Sequence, residues 1–193
     1  MLSFLARLTS FVFFLLSLNF LACALPTSAP SNFKELAARD EGGETVLKMI
    51  TSLHTTLNAD IKVLTECSTV AQVKAQVDVI VGHVIVVAKA VEDLGAHKYA
   101  SAEIKAKIAA EAFACISLMV QACLNLSVKF GLVVLLAIFV KLDVCTHLLL
   151  VNLGSCIDGI TEIVAKLVVG TCAEALVKLH FTLCTNVLVV VGI

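Results

Sequence analysis

Two cysteine–histidine pairs are the residues here with the clearest chemical potential. Cys145 and His147 are two apart, and His180 and Cys184 are four apart, on one face if that segment is helical. Zinc takes four such ligands in a tetrahedron, so a metal site requires the two pairs to converge from separate helices. A cysteine nucleophile needs a base and a third group that orients it. The spacing supplies neither arrangement, so no metal, cofactor or catalytic residue is expected. A nucleophile elbow, a phosphate-binding glycine loop, an HExxH helix and a CxxC pair are also missing from the chain. Carboxylates recur at helical spacing beside lysines, as in Asp158, Glu162 and Lys166 and again in Glu174 and Lys178. That suits solvated helix faces better than paired acid–base work. His83, alone inside an apolar helix, reads as a satisfied core histidine. The chain reads as non-enzymatic.

The remaining cysteines depend on where the chain goes. Arg7 followed by FVFFLLSLNFLA and the small-x-small run Ala22-Cys23-Ala24 make residues 1–24 a cleavable signal peptide, with an uncleaved anchor as the alternative. Cleavage leaves Cys67, Cys115, Cys123, Cys145, Cys156, Cys172 and Cys184. In an oxidising compartment this odd set favours at least one disulfide, with one thiol left over; the alternative is a set of small buried apolar residues. Asn125-Leu126-Ser127 is a glycosylation sequon, which places Asn125 on a lumenal surface if it is used.

The elements that would hold these residues are helices. Both prolines, Pro26 and Pro30, lie just past the cleavage site, and with Gly42-Gly43 they mark residues 25–43 as a flexible leader or propeptide. Asn32 and Glu35 are spaced to cap a short helix there, and Arg39 offers a processing site. Ile50, Leu53, Leu57, Ile61 and Leu64 predict a first helix near 45–66. Thr69 and Gln72 form a capping box before the seam Val70, Val73, Val77, Ile80, Val84, Val87, Val91 and Leu94, closed by Gly95. A third helix starts near Ser101 and carries Ile104, Ile108, Ala112, Cys115, Met119, Ala122 and Leu126. Gly154 and Gly170, each followed by a cap-like run, predict further helices near 130–153, 156–169 and 172–191. The expected fold is all-α: a bundle of five or six long, very apolar helices over residues 44–193.

Composition bounds the role. Hydrophobic residues make up 60% of the chain and charged ones 15%, against roughly 25% charged in soluble domains, and the mean hydropathy is +1.02. A net charge of −1 gives phosphate no attraction, so nucleic acid is excluded as a partner. The polarity is uneven: twenty charged side chains fall in residues 33–111 and eight in the membrane-like stretch 112–193. So little polar surface points to a bilayer, an apolar surface or a second copy as cover. The best spanning core, FGLVVLLAIFV over 130–140, is only eleven residues long, because Lys141 and Asp143 burden its extension.

The end of the signal, Ala22-Cys23-Ala24-Leu25-Pro26, the leader closing in Leu36-Ala37-Ala38-Arg39-Asp40, and the Ala/Val/Leu-rich helices with scattered cysteines resemble small secreted or membrane proteins of fungi without assigned function. More distantly they resemble fungal hydrophobic-surface-binding cell-wall proteins. The resemblance implies a helical protein of the secretory route and names no site residues. The sequence therefore points to a protein that ends in a membrane or at the cell surface, its C-terminal helices meeting lipid or each other. A soluble, disulfide-stapled helical module that binds a lipid or other apolar ligand is the alternative.

Overall fold

A computed structural model describes residues 33–95 and 100–190, with side chains over 41–95 and 100–188. The signal segment, the cleavage site after Ala24 and the prolines lie outside the described residues. Contacts divide the chain into Met1–Lys34 and Glu35–Ile193, and the bundle is the second unit. Its helices are α1 (Phe33–Glu66), α2 (Val70–Asp93), α3 (Ala102–Phe130), α4 (Leu132–Cys156), α5 (Ile160–Val169), α6 (Ala173–Lys178) and α7 (Thr182–Val190), with no strand among the described residues. The all-α bundle is as expected, with seven helices where five or six were predicted.

Local chemistry accounts for the starts. Thr69 accepts the Gln72 backbone N–H while the Gln72 side chain accepts from Thr69, the reciprocal box expected from the sequence. Ser101 accepts from the Ile104 N–H and opens α3. The predicted stripes of α1 and α3 are buried in full; on α2, Ala88 takes the interior place expected of Val87. Partner bonds set the directions. The three-residue turn 67–69 sends α2 back along α1, and Asp60 on α1 takes Gln76 and His83 of α2. Lys141 reaches Asp78, and Asn152 reaches the Ala88 carbonyl, so α4 runs parallel to α2. His54 pairs with Glu111, and Lys129 with the Cys67 carbonyl, so α1 runs parallel to α3. Helix α4 packs on α2, α3, α5 and α7, which leaves α1 diagonally across the bundle.

Three boundaries differ from the sequence reading, and each has a tertiary cause. First, α1 runs straight through Gly42-Gly43, within the expected leader, because Gly43 is buried: a Cβ there would sit 3.0 Å from both Ala100 and Ile104. Arg39 falls inside this helix, its side chain undescribed. Second, Gly154 does not stop α4. It lies within the helix where α5 crosses, and a Cβ would meet Thr161 Cγ2 at 2.9 Å. Third, the last predicted helix splits at 179–181. His180 takes φ 58°, and the Phe181 N–H donates to the Leu176 carbonyl across 3.0 Å, the bonding of a left-handed helix end. Burial of Phe181 then turns the chain into α7.

Candidate functional site

The Cys/His residues do not assemble. Cys145 and Cys184 are fully buried, His147 is half-buried, and His180 points to solvent from its left-handed turn. Among the described residues no group of three or more His, Cys, Asp or Glu side chains could hold a metal ion. Burial pushes the Cys184 thiol far above its usual range, and the hydrogen bond and charge of Asp143 push it the same way. Burial pushes Cys172 up to about 11, against a lowering hydrogen bond from Ser117. Neutral buried thiols are poor nucleophiles and poor metal ligands. His83 is no core residue either: it lies on the surface with Asp60 Oδ2 2.7 Å away.

The expected bridges are corrected as well. Cys67, Cys115, Cys123, Cys145, Cys156, Cys172 and Cys184 are all buried, and no disulfide joins any of them. They serve as small apolar core residues, so the stapled module finds no support. Asn125 is exposed and accepts from Gln121 Nε2 at 3.1 Å, while Ser127 donates to the Cys123 carbonyl.

The unusual surface lies on α4, where the ordinary pattern is inverted. Asp143, Thr146 and Asn152 are buried against neighbouring helices, and Lys141 pairs with one at the surface. Lys141 donates to Asp78 on α2 at 2.5 Å. Asp143, 3% exposed, accepts the Leu183 and Cys184 backbone N–H groups at the start of α7, each at 2.9 Å. Thr146 faces Met119 on α3, and Asn152 donates to the Ala88 carbonyl on α2 at 2.8 Å. Among the described residues every buried polar side-chain atom has a partner. What α4 turns outward is Val133, Val134, Ala137, Val140, Val144 and Val151, a stripe at steps of three, four and seven that ends in the exposed Ser155. Val133 is 83% exposed and Val134 55%. The sequence presents Lys141 and Asp143 as obstacles to an apolar surface; the fold buries Asp143, while Lys141 stays at the surface paired with Asp78.

Three helices, α2, α3 and α4, are long and apolar enough to cross a membrane, and α4 has the highest mean hydropathy, 2.2. The eleven-residue core expected at 130–140 is broken at Gly131, with Phe130 ending α3 and residues 132–140 opening the 25-residue α4. The diagonally opposite helix is different in kind: α1 exposes Lys48, Thr51, Ser52, Thr55, Asn58 and Lys62 along its length. Comparison with models of known protein families and with curated proteins finds no match.

Proposed function

We propose that this protein is a non-enzymatic component of the secretory route that associates with a bilayer through the outer face of α4. The observation that carries this reading is the outer face of α4: Asp143, Thr146 and Asn152 are buried in the bundle while five valines face out. Valine on a water-facing helix has no packing benefit to offset its exposure, and a continuous stripe of it calls for an apolar neighbour. The hydroxyl and lysine face of α1 argues against the whole bundle standing across the bilayer, since those groups would then meet hydrocarbon. Lying in the interface, with α4 down and α1 up, satisfies both faces at once.

A second copy is the weaker occupant. The five outward valines of α4 leave on the order of 400 Å² exposed, about half of the ~800 Å² per partner that a stable interface buries. A soluble module binding an apolar ligand is the second reading; the feature in its favour is a cleft of about 390 Å³ beside the α1–α2 turn, with Val63, Ala75 and Val79 in its lining.

Fractionation of expressing cells, with N-terminal sequencing of the product, tests the proposal. Expected are a product trimmed near Ala24, recovery with membranes in high salt, and release by detergent. The Val140→Asp/Val144→Asp variant should shift the protein to the soluble fraction. A freely soluble, stable monomer, purified without detergent or bound lipid, would refute it.

A further inference from the structure

Among the described residues the most exposed valines cluster at one place, the corner between α3 and α4. Gly131 alone joins the two helices, with φ 85°, and no neighbour comes within 4 Å of where a Cβ would stand, so glycine serves the backbone there and nothing else. Around it Val128 is 90% exposed, Val133 83% and Val134 55%. A corner between two helices is convex. A fluid hydrocarbon phase closes around side chains this exposed at a helix–helix corner. The tip bears one charged side chain, Lys129, whose ammonium donates to the Cys67 carbonyl at 2.6 Å and lies 5.3 Å from the Phe130 ring centre. Behind it, Asn125 and Gln121 are exposed one and two turns back along α3, a polar boundary for headgroups.

On the bilayer reading given above, we infer that the protein enters lipid tip first, Val128 to Val134 leading and the α4 stripe following obliquely. The tilt follows from the α1–α2 turn, which the Lys129 bond places at the same end of the bundle. Its exposed Glu66, Ser68 and Thr69 must stay among headgroups. The lipid is identified by what the surface lacks. With 13 basic and 15 acidic side chains after residue 24, a net charge of −2, and a single lysine at the tip, neither anionic headgroups nor low salt should be needed. The partner is a zwitterionic, phosphatidylcholine-type bilayer.

The chain contains no Trp, so single tryptophans report without background. The Val133→Trp and Val151→Trp variants change exposed positions 18 residues apart, about 27 Å along α4. Each full-length protein is mixed with phosphatidylcholine vesicles whose acyl chains carry bromine, in low and in high salt. Strong quenching of the Val133→Trp variant and weak quenching of the Val151→Trp variant, unchanged by salt, is the expected result. The Val128→Asp/Val133→Asp change should lower vesicle partitioning by at least about tenfold, with the helical circular dichroism unchanged. Equal quenching of both variants would overturn tip-first entry while the α4 reading stands. No quenching of either, with the protein failing to float with vesicles, would overturn both. A requirement for anionic lipid would overturn the headgroup assignment, and a glycan found on Asn125 would overturn the entry depth.

Discussion

Replacing Asp143 should unfasten the C-terminal helix. The carboxylate sits 3% exposed inside the bundle and holds the first turn of α7 through two backbone N–H groups, each at 2.9 Å. A hydrogen bond to a charged group is worth about 1.5–3 kcal/mol, and a carboxylate at a helix N-terminus adds about 0.3–1 kcal/mol. Against these stands the cost of keeping a charge out of water, which removal of the side chain relieves. The net expected loss for Asp143→Ala is therefore about 2–4 kcal/mol, a sizeable part of a total stability of about 5–15 kcal/mol. Asp143→Asn keeps one acceptor oxygen but presents an amide to the second N–H, so about 1–2 kcal/mol is expected. Urea unfolding followed by circular dichroism gives the totals. Hydrogen exchange at the Leu183 and Cys184 amides shows whether the loss is local, since α7 is otherwise held by Phe181, Cys184 and Leu188. A loss below about 1 kcal/mol in Asp143→Ala, with both amides still protected, would show that side-chain packing and not the carboxylate holds α7.

Other consequences are open to the same measurements. His180→Gly should stabilise the fold by about 0.5–1 kcal/mol, because φ 58° is costly with a Cβ and the side chain points to solvent. Gly154→Ala should destabilise by about 1–3 kcal/mol by driving a methyl against Thr161 Cγ2, and Thr161→Ser, which removes that methyl, should restore most of the loss in the double variant. A maleimide thiol label at neutral pH should leave the buried cysteines of the native protein unmodified and react with all of them in denaturant. Because the Cys172 thiol is raised in the fold to about 11, unfolding releases its proton more readily than the native state does. Its stabilising contribution is whole below about pH 9 and lost as the pH rises to about 11, which alkaline urea titrations of wild type against Cys172→Ala would reveal.

Much of the architecture was legible before any coordinates. Helix starts are decided within four residues, so the Thr69–Gln72 box and the Ser101 cap could be read directly. Buried stripes follow from a period of 3.6, and those of α1 and α3 came out residue for residue. What local pattern could not reach was any feature set by a neighbour distant in the chain. Gly43 and Gly154 resemble helix breakers until Ala100 and Thr161 are seen to occupy the space a side chain would need. His180 has no sequence mark of a left-handed turn. Above all, α4 is apolar around most of its circumference, so periodicity assigns it no inner side. Its orientation was decided by Asp78, Ala88 and the α7 amides, each forty or more residues away, which bury Asp143 and Asn152, hold Lys141 at the α2 side and leave the valines facing outward. Composition alone dictated that this half of the chain is poor in charge, with eight charged side chains in residues 112–193. Only packing determined which of its faces stays apolar and exposed, because burying a charge or an amide is tolerable solely where a partner waits for it.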